Sequence, residues 1–269
     1  MQALWNNPIF FKYRLLERRE YKRSKSSFWI KQMGLVWCVL VPLAWVALMG
    51  LPEVLDSLTP KYDAARLMRS LEHLASNWLG ALTFSYFIVL MVAIGISLNS
   101  TSSLVTGERE KKTFESLQST MLSATEIVNG RLLSGLWPVM RELMIVSPLA
   151  LFLGSVAGFG GQALLCLGLL YSSVAFYGMV GLWSSYRNKS TQNANRLATG
   201  VAASLLVGAP VLSALMGSDF LLKLHPVFAS AYLSSEGVMP VVLVTAFHLC
   251  GAMILWLDAL RRERSAVRV

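Results

Sequence analysis

Six stretches of this sequence, Met33–Leu51, Trp78–Leu98, Leu143–Gly158, Ala163–Trp183, Leu197–Met216 and Val238–Leu257, contain no Asp, Glu, Lys or Arg. A helix of about 20 apolar residues crosses the roughly 30 Å of a bilayer's hydrocarbon core, where each backbone polar group must be satisfied within its own segment. The alternating pattern of an outer-membrane barrel strand is absent from these runs. The expected fold is therefore all-α, a polytopic membrane protein with about six transmembrane helices. A chain that is 55% hydrophobic and 14% charged, with a mean hydropathy of +0.54, is too apolar for a soluble domain.

The third run is short. Trp137-Pro138 and Arg141-Glu142 just before it predict an oblique or kinked entry into the membrane. The first run follows some thirty polar and basic residues, unlike a cleaved signal peptide. Basic residues fix the expected orientation. They crowd the N-terminal segment (Lys12, Arg14, Arg18, Arg19 and others), the tail (Arg261, Arg262, Arg264, Arg268), the central loop (Arg109, Lys111, Lys112, Arg131, Arg141) and the loop after Tyr186 (Arg187, Lys189, Arg196). The opposite side has only Lys61, Arg66, Arg69 and Lys223. By the positive-inside rule both termini are cytoplasmic, and the chain belongs in the cell's inner, cytoplasmic membrane. The net charge of +9 is then a consequence of topology, and nucleic acid is not an expected partner. Cys38, Cys166 and Cys250 fall inside spans without metal or disulfide spacing.

Three parts are expected: a basic, amphipathic cytoplasmic segment over 1–32, a six-helix transmembrane domain over 33–258 with a cytoplasmic loop at about 99–141, and a basic tail over 259–269. In the first part Ile9, Phe10, Tyr13 and Leu16 interleave with Lys and Arg, the pattern of a helix lying in the headgroup plane. It serves as a positive-inside anchor, as a mechanical element, or as both. Leu67, Leu71 and Leu74 predict a short surface helix on the outer side. The central loop, LVTGEREKKTFESLQSTMLSATEIVNG, reads as two short helices joined near Met121–Ser123. Glu108 and Glu110 are placed in the first turn of one, where the dipole favours them, and Phe114 and Leu117 form an apolar edge that needs a partner. Ser123-Ala-Thr-Glu126 has the form of a capping box that opens the other.

Gly107-Glu108-Arg109-Glu110 with Thr113, Glu115 and Leu117, then Met121-Leu122-Ser123, Glu126-Ile127-Val128 and Gly130-Arg131-Leu132-Leu133, resembles the cytoplasmic loop of ABC type-2 transporter permeases. That loop typically reads G-E-(R/K)-E-x-G-T-x-E-x-L-L-x-(T/S)-P-L-S-x-x-E-I-V-x-G-K-L-L between the second and third spans. Asn7-Pro8 before a basic amphipathic helix, about six spans and two inside ends extend the resemblance over nearly the whole chain. Lys112 stands where the family usually has Gly, Met121 where it has Pro and Arg131 where it has Lys. The resemblance implies the permease subunit of an ATP-driven exporter, not itself an enzyme. Gly107, Glu108, Arg109, Glu110, Thr113, Phe114, Glu115 and Leu117 would form a coupling helix seated in a separate cytoplasmic ATPase subunit. Charge reversal at Glu108 and Glu110 would then detach that subunit. This chain has no phosphate-binding loop of its own, so ATP and Mg belong to the partner ATPase and no cofactor is expected here. Six spans are too few for a pathway, so a second permease chain, identical or related, is expected beside it in the lipid bilayer.

Phe84, Tyr86, Phe87, Met91, Asn99, Ser204 and Ser213 carry no fixed charge and are candidates for lining a pathway for a hydrophobic or amphiphilic substrate. Packing at an interface or contact with lipid accounts for them equally well. His248, mid-span, is either a functional group or a neutral imidazole held between helices. Arg141 and Glu142 are expected to pair with each other or reach the interface. Gly154-Ser-Val-Ala-Gly158 fits a close helix crossing or an outer turn. The alternatives to a permease are an ion-coupled secondary transporter, for which the spans offer almost no carboxylates, and a non-catalytic membrane scaffold.

Overall fold

A computed structural model describes residues 8–10, 44, 64–114, 122–156, 158–223, 225–233 and 237–267, with the backbone alone over 64–82 and at 156 and 267. Among these residues all regular structure is helical: α1 Ala64–Ser102, α2 Leu104–Glu110, α3 Ala124–Val156, α4 Gly160–Arg187, α5 Thr191–Ala203, a π-helical turn Ser204–Gly208, α6 Ala209–Met216, α7 Phe220–Lys223, α8 Pro226–Tyr232 and α9 Met239–Val267. Five segments are long and apolar enough to cross a membrane: Thr83–Glu110, Ala124–Ser155, Gly160–Arg187, Thr191–Met216 and Met239–Ala266. They correspond to the second to sixth expected spans, and the chain is a multi-pass membrane protein. The first expected span and most of the N-terminal segment lie outside the described residues.

The helices run well past the apolar stretches, and this corrects several expectations. At Ser123 the capping box forms: its hydroxyl accepts from Glu126 N (3.3 Å), while Glu126 Oε2 accepts from Ser123 N (2.8 Å) and Ser123 Oγ (2.7 Å). The helix it opens is not short. α3 continues through Pro138 and Pro148 for 33 residues, so the second loop helix and the third span are one element. Neighbouring helices and side chains can satisfy the backbone groups that a proline frees in a membrane helix. The expected outer surface helix is likewise continuous in backbone with the second span, because α1 starts at Ala64. The tail is the last turns of α9, which extends to Val267.

The helix α4 is central and packs against α1, α3, α5 and α9. Leu90, Ala93, Val139, Leu143, Leu170, Val174 and Tyr177 close the core between α1, α3 and α4. Small residues set the closest approaches. A Cβ at Gly181 of α4 would lie 2.1 Å from Thr101 Oγ1 and 2.6 Å from the Leu98 carbonyl oxygen of α1. The Gly154–Gly158 stretch supplies both a close contact and a turn. A Cβ at Gly154 would meet Ala163 at 2.7 Å, and Gly158 makes the turn into α4 at φ +80°.

His248 lies among α4 and α9 side chains. It is sealed in the bundle, Nδ1 is 3.2 Å from Ser173 Oγ, and its ring stacks on Phe176 at 5.1 Å. Glu142 is also buried in α3. The α5–α6 span is the least enclosed: Val207, Val211, Leu212, Leu215 and Met216 are all half exposed or more.

Candidate functional site

Charged side chains collect at one end of the bundle, where α2, the start of α3 and the ends of α4 and α9 meet. The helix α1 breaks into α2 at Ser103 because a side chain from α4 enters its hydrogen-bond ladder: Ser185 Oγ accepts from both Val105 N and Thr106 N at 3.0 Å. After the break α2 stays on the bundle, with Leu104, Val105, Thr106 and Glu108 buried.

At the centre of this end is Arg131, fully buried on α3. Its Nε and Nη2 donate to Glu108 Oε2 at 3.1 and 2.7 Å, and its Nη1 donates to Glu263 Oε2 of α9 at 2.7 Å and to the Tyr186 hydroxyl of α4 at 2.6 Å. The Tyr186 hydroxyl in turn donates to Glu263 Oε2 at 2.7 Å. A cation taken out of water is tolerable only when paired and hydrogen-bonded, and this one is met by two carboxylates and a phenol from three helices. Phe114 lies between two guanidinium groups, 5.0 Å from Arg109 and 5.3 Å from Arg131. Arg109 thereby brings a second positive charge within electrostatic range of Glu263.

The rest of the Gly-Glu-Arg-Glu motif is also engaged. Arg109 Nη1 donates to the Asn188 carbonyl oxygen at 2.9 Å, satisfying the end of α4. Glu110 accepts from Thr191 N at 2.7 Å and from the Thr191 hydroxyl at 3.0 Å, placing a carboxylate at the positive N-terminus of α5. Glu108 and Glu110 therefore sit at the C-terminal end of α2, not in a first turn, and both bind within the chain. Charge reversal at Glu108 would break the buried cluster itself, so it cannot report on an external partner. Of the apolar edge, Phe114 packs inward against the cluster that contains Val105, Val128, Tyr186 and Leu260. Thr113 N donates to the Glu108 carbonyl oxygen at 2.9 Å, and Gly107 is half-buried with open space around its Cα. Glu115 and Leu117 lie outside the described residues. Next to the motif Ile9 and Phe10 are buried, Ile9 against Ile127 and Leu122, and Phe10 edge-on to Trp137 at 5.5 Å.

What faces outward here is Glu110, Lys111 and Lys112. Lys112 has φ +55°, the left-handed region that disfavours a Cβ. Relief of that strain, worth about 1–2 kcal/mol per L-residue, is partly offset by glycine's larger unfolded-state entropy. Lys112→Gly is accordingly expected to stabilise the protein by about 0.5–1 kcal/mol. Unfolding of wild type and variant in the same detergent checks this, and a less stable variant would refute it.

The residues expected to line a pathway are not brought together. Phe84 and Phe87 point outward from α1, as does Asn99 further along, and Met91 is half-buried. Ser204 is exposed in the π turn, whereas Ser213 is buried and donates to the Ser218 carbonyl oxygen. Tyr186 and Glu263, by contrast, do not stand out in the sequence. Glu263 sits among arginines in a stretch that reads as a solvated tail. Its signal was phase: Trp256, Ala259, Leu260 and Glu263 share one face of a helix continued past Leu257. No family model, curated protein or solved structure matches this chain.

Proposed function

We propose that this chain is the permease subunit of an ATP-driven exporter, with its charged end in the cytoplasm and the segment Gly107–Leu117 as the seat of a separate ATPase subunit. The observation that carries the reading is mechanical. On its inner side the segment Val105–Glu110 is bonded to α3 through Arg131, to α4 through Ser185 and Asn188 and to α5 through Thr191, and it shares Arg131 with α9 through Glu263. Its outer side presents Lys111 and Lys112. A push on this segment passes directly into four of the five spans among the described residues. Closure of an ATPase dimer can thus be converted into rigid-body movement of the bundle. Lys112 gives independent support: the position where the permease motif has glycine is the one whose backbone is left-handed here. ATP and Mg are held by the ATPase. The exposed apolar faces of α6 and α9 suit lipid and a second permease chain, and the uncharged spans suit a hydrophobic or amphiphilic substrate.

The test is purification of the full chain from its native membrane. An ATP-hydrolysing subunit is expected to accompany it, and Lys111→Glu with Lys112→Glu is expected to release that subunit while leaving the chain folded. Recovery of the chain with no such subunit, or retention of it by the double variant at wild-type level, would reject the assignment.

A further inference from the structure

At the end of the bundle opposite the Arg131 cluster, a cavity of about 290 Å³ opens between α1, α3, α4 and α8. It exists because of the turn at Gly158–Phe159: Gly154 and Ala163 touch where α3 meets α4, so the two helices splay from that point and leave Ala150 and Cys166 facing unfilled space. Its size is near the lower end of small-molecule sites, about 300–1,000 Å³. Leu167 and Leu233 form its buried apolar wall, and Gln162 and Ser230 are half-buried among its lining residues. None of the lining residues is charged.

Tyr86 also lines it, and the Tyr86 hydroxyl is buried with no hydrogen-bond partner among the described residues. A buried hydroxyl left without a partner is costly, so an occupant that meets it is favoured. Water serves poorly here, because a held water needs two to four polar partners and the wall is mostly apolar.

We propose that this cavity binds a neutral, single-chain amphiphile, its apolar body between Ala150, Cys166 and Leu167 and its uncharged polar head on the Tyr86 hydroxyl. The volume excludes a two-chain phospholipid, and a cationic or anionic head would find no counter-charge in the lining. The site lies within one chain and is independent of the exporter reading, so it stands whether or not an ATPase partner is found.

The probe is a decanol bearing an alkyl diazirine, added to the full chain in lipid nanodiscs, photolysed and mapped by peptide mass spectrometry. Saturable adducts are expected on the segments carrying Tyr86 and Cys166, competed by 1-decanol and not by decyltrimethylammonium. Ala150→Phe, which fills the space, is expected to remove at least nine-tenths of that labelling, an order-of-magnitude effect. Tyr86→Phe, which deletes one oxygen and keeps the fold, is expected to weaken half-saturation about fivefold. If Ala150→Phe fails to fold, the Tyr86→Phe arm decides. Labelling spread over the exposed faces of α6 and α9 with none in the cavity would overturn the proposal. So would cavity labelling indifferent to Tyr86→Phe, or equal competition by the cationic amphiphile.

Discussion

Arg131→Met is expected to cost about 3–5 kcal/mol of stability, enough to leave most of the protein unfolded or aggregated on extraction into detergent. The loss comes less from missing attraction than from what remains: Glu108 and Glu263 are left in a buried site with the cation between them gone. The same logic predicts a partial rescue. Combining Arg131→Met with Glu108→Gln and Glu263→Gln removes all three charges and is expected to recover a large part of the loss, since an apolar or neutral set of similar volume is often tolerated where half a pair is not. Denaturant unfolding of the single and triple variants in one detergent measures both. A single variant as stable as wild type, or a triple variant worse than the single, would contradict the cluster as drawn. Because α2 is held to α3 and α9 through this one guanidinium, the single variant is also expected to loosen α2, read as faster amide hydrogen exchange over 104–110.

Gly181→Ala is expected to destabilise the bundle by about 1–3 kcal/mol, and Gly181→Val by more, because the added carbon would meet backbone as well as side chain. Thr101 could rotate its hydroxyl away from 2.1 Å, but the Leu98 carbonyl oxygen at 2.6 Å and Ser102 N at 3.1 Å belong to α1 itself, so the helices must separate. The control is Gly200→Ala on α5. Nothing lies within 4 Å of a Cβ there, and a helical Gly→Ala exchange is expected to be neutral or stabilising by about 0.5–1 kcal/mol. Thermal melts of the pair separate crowding from helix propensity. If both substitutions moved the midpoint the same way, the close α1–α4 crossing would be wrong.

Much of the architecture was legible in the sequence. Five of the expected spans are helices, and the Ser123–Glu126 capping box forms at the predicted residues. The errors fall at the ends. The apolar run begins at Leu143 in a span whose helix begins at Ala124, and ends at Leu257 in one whose helix runs to Val267. Hydropathy marks where the solvent is hydrocarbon, not where the helix stops. Backbone hydrogen bonding continues through polar residues wherever neighbouring helices give them something to pack on.

The candidate site was legible in position but not in its inner workings. The sequence by itself determined that this chain is a helical membrane protein, that a charged segment lies between two of its spans, and that a helix opens at Ser123. These are local properties, set by composition over about twenty residues or by a four-residue pattern. Only the tertiary structure decided which way the charges in that segment point. Glu108 turns inward because Arg131, 23 residues on, is buried beside it, and Arg131 can be buried because Glu263, 132 residues on, completes its neutralisation. The same holds for Lys112, whose left-handed backbone follows from anchoring Glu108 and Phe114 on either side of it. A buried charge is stable only with a partner, and its partner is brought near by helix packing, which no local stretch of sequence encodes.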